Sequence, residues 1–401
     1  MIGGRRARSL ADQALVSFGN LAAFLIYARH LTTEDWAIFG YAYVAAMFAQ
    51  GFQRATISIP LIAYSSESWA RDRSQWVAQN ALATAIAIVA MVGAATLTNT
   101  FSAEWITLSF AAAALILGPM FLFEFCRRSA IQEGQFALLP YMSVAYAISG
   151  IAVATLGVFG HATKWLPAIG TALACTSAVV VYYIFSRKPI LQPPKPWEPA
   201  ADYVKFATWS SLSHLAFSGY FFGIQTVLAA LADSNAVGIY FALRIFTQPV
   251  NTLVSAMDSV DKPRAAIALS STGRGAMNRI LNRSLVVMLC VAAPYLLTLV
   301  LFGDQLAHFL LGPKYADQKS VLWAWSVVAC LMLLVQPVET GLYVLRRSSQ
   351  LFLNRVVASA VGLTSAFLFI PGWGATGALM AMALALVSTW LLGRWSLGRP
   401  D

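Results

Sequence analysis

Apolar runs of membrane-crossing length, separated by short polar or basic clusters, follow one another along the whole chain. A helix needs ~20 such residues to cross ~30 Å of hydrocarbon. The pattern predicts spans at 9–31, 35–60, 75–98, 104–126, 136–159, 165–186, 204–231, 236–260, 282–302, 319–344, 350–370 and 374–396. One run departs from the others. In 237–258, VGIYFALRIFTQPVNTLVSAMD, the residues Arg244, Gln248, Asn251, Ser255 and Asp258 recur at intervals of 4, 3, 4 and 3, which places them on one helical face. A charge near the bilayer centre costs ~2.5–3.5 kcal/mol. The stripe is therefore expected to face other protein or a water-filled cavity.

Six spans precede and six follow a proline-rich stretch at 187–203, RKPILQPPKPWEPAADY, which reads as an extended linker. The expected organisation is a lobe over 1–186, the linker, and a lobe over 204–401. The halves also repeat each other. A shift of 201 lays LTTEDWAIFGYAYVAAMFAQGFQRA over ADSNAVGIYFALRIFTQPVNTLVSA, with Tyr43, Met47, Gln50 and Arg54 falling on Arg244, Gln248, Asn251 and Ser255. Arg127-Arg128-Ser129 and Arg346-Arg347-Ser348 close the fourth and tenth spans. Two related halves that both start inside imply a parallel repeat about an axis along the membrane normal.

Composition narrows the class. With 59% hydrophobic and 11% charged residues in 401, the chain is expected to be an all-α polytopic membrane protein of about twelve spans. The net charge of +10 belongs to topology. Arg5, Arg6, Arg8, Arg71, Arg73, Arg127, Arg128, Arg187, Lys188, Lys195, Lys262, Arg264, Arg274, Arg279, Arg346 and Arg347 share one side, whereas the other has Arg29, Lys164, Lys314 and Lys319. The positive-inside rule puts both termini in the cytoplasm, and a nucleic-acid partner has nothing left to explain. Cys126, Cys175, Cys290 and Cys330 have no metal or disulfide spacing and read as buried apolar thiols. The basic start mimics a signal peptide, but Asp12, Gln13 and Asn20 interrupt its apolar run, so it reads as a retained first helix.

The candidate chemistry is cationic. Arg54 lies ~9 Å from the cytoplasmic end of its helix and Arg244 ~12 Å from the outer end of its own. Arg54 is open to snorkelling or to a cavity; Arg244 favours the cavity. Guanidinium suits pyrophosphate, because its planar fork donates paired hydrogen bonds and stays charged. Gln50, Gln248 and Asn251 sit on the same faces and could serve sugar hydroxyls, as could Gln13, Asn20, Gln225 and Gln336; helix–helix packing is the alternative. Glu339 and Glu124 are the candidates for ion coupling, since burial and nearby cations move a carboxylate's proton affinity in opposite directions. Pairing with Arg127 or Arg128 is the plainer role for Glu124; for Glu339 a plain ion pair and ion coupling stand side by side. Asp12, Asp258 and Asp261 read as interfacial. Pro119, Pro249 and Pro337 would kink their helices. No nucleotide loop, zinc set or hydrolase motif occurs.

The opening LADQALVSFGNLAAFLIYARHLTTEDWAIFGYAY, its echo NAVGIYFALRIF, the paired Arg-Arg-Ser endings and the two-lobe layout resemble Wzx-type flippases of the multidrug/oligosaccharidyl-lipid/polysaccharide (MOP) exporter superfamily. The resemblance implies a V-shaped, MATE-like pair of six-helix lobes in a bacterial inner membrane. It also implies a cationic cavity that carries an undecaprenyl-pyrophosphate-linked oligosaccharide to the periplasmic leaflet, with no cofactor beyond a coupling ion, Na+ or H+. A polysaccharide polymerase and glycosyltransferases would be the protein partners. Two other readings stand beside it. A cation-coupled drug exporter would lead with carboxylates and aromatics. A membrane glycosyltransferase or polymerase would need catalytic groups on an outer loop, where only Asp304, His308 and Asp317 on 303–318 offer themselves.

Overall fold

The computed structural model describes residues 2–58, 66–159, 163–186 and 201–399, and these are almost entirely helical, with no strand among the described residues. The elements are α1 (Ile2–His30), α2 (Thr33–Gln53), α3 (Ser66–Phe101), α4 (Glu104–Gln132), α5 (Leu138–Phe159), α6 (Leu166–Phe185) and α7 (Ala201–Leu231). They continue with α8 (Ser234–Arg244), α9 (Gln248–Thr272), α10 (Arg274–Leu311), α11 (Lys319–Val344) and α12 (Ser348–Gly398). Among the described residues 8 helices are long and apolar enough to cross a membrane, or 9 with α7 counted as one bent span. The proline-rich linker lies, over 187–200, outside the described residues.

Two predicted spans, 350–370 and 374–396, are joined inside α12 without a polar loop. Gly374 leaves helical geometry at φ 50°, a conformation that favours glycine. A Cβ at Gly377 would sit 2.5 Å from the Phe369 carbonyl oxygen, and one at Gly362 would come 3.0 Å from the Ala385 Cβ. The two arms of α12 therefore lie side by side, and only glycine fits where the chain reverses.

The predicted eighth span is broken. Its first part ends at Arg244, a 3-10 turn spans Ile245–Thr247, and α9 resumes at Gln248. Pro249 is the cause: it has no N–H to give the carbonyl of Ile245, and its ring clashes there. The expected kinks at Pro119 and Pro337 take a milder form, since α4 and α11 run through them without a break.

The described chain divides into two compact units, Met1–Leu215 and Ala216–Asp401, with the division inside α7. In the first, α4 packs against α2, α3 and α6, and α5 against α1 and α6. In the second, α11 packs against α9, α10 and α12. The helix starts bear out the register of the repeat. Thr32 caps α2 by accepting from the Asp35 N–H, and Asp233 caps α8 by accepting from the Ala236 N–H. Both caps are extended, at φ −62° and −73°, and each is 201 positions from its counterpart.

The lipid-facing surfaces follow from burial. α3 exposes Ile86, Val89 and Leu97, and α10 exposes Val286, Val291 and Leu301, as helices in contact with lipid tails should. Cys126 and Cys175 are buried as expected, but Cys290 is exposed on α10.

Candidate functional site

Two polar clusters stand out, one in each unit. In the first unit Glu124 on α4 is the hub, with a side chain only 2% exposed. Arg128 Nε donates to its Oε1 at 3.0 Å, Arg127 reaches Oε2 at 3.3 Å, and Arg54 Nε lies 3.3 Å from Oε1. Arg127 and Arg128 stand three and four positions after Glu124, so helical spacing alone brings them onto its face. Arg54 comes from another helix, where α2 widens into a π turn over Arg54–Ser58, a distortion frequent at functional sites.

Arg127 also pairs with Asp12 of α1, and Ser143 of α5 donates to the same carboxylate. Asp12 is 2% exposed: a cation from α4 lets α1 bury it. The Arg127 guanidinium lies over the Phe123 ring, and Phe123 stacks on Tyr146, whose hydroxyl donates to Asn20 Oδ1 at 2.7 Å. Three arginines thus share two carboxylates. Arg54 is the outermost, with 42% of its side chain exposed. Gln50 is buried on α2 and makes no side-chain hydrogen bond among the described residues. The nearby Gln53 is tied to Asn80 and to the Phe121 carbonyl at 2.7 Å each.

In the second unit a cavity of about 360 Å³ opens between α7, α9, α11 and α12. Glu339 meets Arg355 through two parallel hydrogen bonds of 3.1 Å. Asp258 takes Lys262 at 2.5 Å on one oxygen, and Thr340 at 3.0 Å and Gln336 at 3.4 Å on the other. Two carboxylates thus face two cations, one to one. Asp258 is partly exposed beside Lys262, whereas Asp261 is buried and accepts from Ser284.

The predicted stripe is divided by the break at Pro249. Ser255 and Asp258 line the cavity, while Arg244, Gln248 and Asn251 are not among its lining residues. Arg244 is half-buried and has no ion pair among the described residues. Asn251 Oδ1 is buried without a hydrogen-bond partner. Arg355 escaped the sequence reading, although a lone arginine near the start of the predicted eleventh span was a visible signal. Asp304, a candidate for outer-loop catalysis, accepts from the Gln318 backbone N–H at 3.2 Å. Among the described residues no group of three or more His, Cys, Asp or Glu side chains could hold a metal.

Several solved structures share this architecture. A multidrug resistance MATE family transporter of the MOP superfamily, in an inward-facing conformation, superposes with a TM-score of 0.71 at 16% identity, over 95% of this chain and 94% of that one. The lipid II flippase MurJ in an inward closed conformation gives 0.74 at 13% identity, over 98% and 87%. A MOP superfamily transporter from Pyrococcus furiosus, described by the reverse polarity of its binding pocket, gives 0.59 at 14%, over 98% and 94%. The fold is that of the MOP superfamily. No curated protein is significantly similar in sequence. Residues 26–320 match the family described as polysaccharide biosynthesis protein; that match covers most of the chain, and the chain belongs to this family.

Proposed function

We propose that the protein is a flippase that moves an undecaprenyl-pyrophosphate-linked oligosaccharide from the cytoplasmic to the periplasmic leaflet of a bacterial inner membrane, for exopolysaccharide, O-antigen or capsule synthesis. The observation that carries the reading is the arginine excess around Glu124. Arg54, Arg127 and Arg128 outnumber Glu124 and Asp12, and the half-exposed Arg54 is the one that an incoming anion meets. A pyrophosphate can take hydrogen bonds from a guanidinium fork without leaving a carboxylate stranded, because Arg127 and Arg128 still hold Glu124. Arg244 is a second guanidinium, without a carboxylate partner among the described residues, and would receive the head group at another depth. Gln50, Gln248 and Asn251 would accompany the two arginines. Glu124 and Glu339 would couple the cycle to an H+ or Na+ gradient through alternating access, with both termini cytoplasmic. A fold relative described as a lipid II flippase and the polysaccharide biosynthesis family agree with this reading.

A cation-coupled drug exporter is the second reading. It is favoured by one observation, the cavity where Asp258 and Glu339 lie near Tyr220 and Tyr343. Lys262 and Arg355 already neutralise those carboxylates, which weighs against a cationic cargo. Liposomes holding the purified protein separate the two. Faster flipping of a fluorescent undecaprenyl-pyrophosphate-linked sugar than in protein-free liposomes, lost in Arg54→Ala, supports the flippase. Transport of a cationic dye without lipid flipping establishes the exporter instead.

A further inference from the structure

The cavity of the second unit has chemistry of its own. Its charges cancel, Asp258 with Lys262 and Glu339 with Arg355, so it offers no net attraction to an anion or a cation. It does offer hydrogen bonds. Gln336 is 6% exposed, and its Oε1 is buried without a partner. The orientation of that amide follows from its surroundings: Asp258 can only accept, so the Gln336 amino group faces it and the carbonyl oxygen is left over. A buried acceptor without a donor is uncommon in a folded protein, because it forfeits its hydrogen bond to water. A ligand hydroxyl or amide N–H would satisfy it.

The walls complete the description. Tyr343, 63% exposed, supplies aromatic surface, with Tyr220 in the lining but buried, and each ion pair retains unused acceptor lone pairs on its carboxylate. A neutral polyol matches all of this. Its hydroxyls donate to Gln336 Oε1 and to the carboxylates, and its C–H face lies on a ring. The volume of about 360 Å³ sits at the small end of the ~300–1,000 Å³ typical of small-molecule sites. It has room for a sugar unit.

We infer that the cavity between α7, α9, α11 and α12, built on Gln336, Asp258, Glu339 and Tyr343, is a sugar-binding subsite that takes one neutral or N-acetylated sugar unit of the cargo. This rests on the flippase reading for the cargo and gives its glycan a place of its own, in the second-unit cavity, apart from the arginines Arg54 and Arg244 that take the pyrophosphate. The repeat supplies the reason for the difference. Ser255 occupies the register position of Arg54, and its short side chain lines the cavity where a guanidinium would fill it.

Saturation-transfer NMR on the purified full chain tests the inference, with free glucose, galactose, N-acetylglucosamine and glucuronic acid as probes and inorganic pyrophosphate followed separately by phosphorus NMR. The expected result is transfer to at least one sugar, with affinity falling about threefold to tenfold in Gln336→Leu, the equivalent of one lost hydrogen bond. Tyr343→Ala removes a ring that is 63% exposed and has Lys262 over it at 5.0 Å, so it should fold even if Gln336→Leu does not, and it should weaken the same sugar. Arg54→Ala should leave sugar binding intact and weaken pyrophosphate. No transfer to any of the four sugars, or transfer untouched by both Gln336→Leu and Tyr343→Ala, overturns the subsite. Sugar binding without pyrophosphate binding would instead leave the subsite standing and count against the flippase reading.

Discussion

The two units begin their second helices alike and end them differently. Thr32 and Asp233 cap α2 and α8 in the same geometry, yet the residues that stand equally far beyond those caps are Arg54 and Ser255. In the first unit the guanidinium joins two others around a buried carboxylate. In the second the serine leaves a cavity, and each carboxylate there has its own cation. The same scaffold thus carries an electropositive cluster in one half and a neutral polar pocket in the other. A repeat preserves backbone registration through its caps, while the character of each half is decided by a few side chains on the inner face.

The sharpest way to break this comparison is to remove the shared anion. Glu124→Gln leaves three arginines short of a counter-ion in a buried site, and loss of one partner of a buried pair costs about 3–5 kcal/mol. It should produce the largest drop in the thermal unfolding midpoint in detergent. Glu339→Gln affects a single pair whose side chains are 20% and 13% exposed; a loss of about 1.5–3 kcal/mol is expected, read from the same melts. The caps should be interchangeable in effect: Thr32→Ala and Asp233→Ala should each cost about 0.5–2 kcal/mol. A clear inequality between them would show that the repeat is not equally supported in the two units. Lys262→Met should matter least. Its side chain is 39% exposed and that of Asp258 34%, so solvent screening limits the pair to about 0.2–1 kcal/mol.

Local pattern is readable where physics is local. The spans 104–126, 136–159, 165–186 and 319–344 lie within or nearly coincide with α4, α5, α6 and α11, because apolar length and flanking polar residues determine such helices. Glu124 with Arg127 and Arg128 is legible from helical spacing. The approach of Arg54 to Glu124, of Arg127 to Asp12 and of Arg355 to Glu339 is not, since each joins residues on different helices and no periodicity encodes it. The polar stripe of 244–258 reads from the sequence as one face. The turn at Ile245–Thr247, ahead of Pro249, separates Arg244 from the other four, and of those four, all on α9, only Ser255 and Asp258 reach the cavity. Hydropathy places the joint inside α12 to within a few residues, but its physical basis, glycines under a close backbone approach, shows only once the two arms are seen together.

The anionic head group is proposed to meet the most exposed guanidinium of the Glu124 cluster, Arg54, and the guanidinium without an ion pair among the described residues, Arg244. The measurement that bears on it most directly is the leaflet distribution of lipid-linked oligosaccharide in cells carrying Arg54→Ala or Arg244→Ala, against wild type and a null. Glu124 keeps Arg127 and Arg128 in the first variant, so protein abundance should remain normal in both. Accumulation on the cytoplasmic leaflet at normal protein level is the expected outcome, partly relieved when Arg244→Lys replaces Arg244→Ala. Normal export in both alanine variants would contradict it, and unpolymerised oligosaccharide collecting on the outer leaflet would point to a polymerase instead.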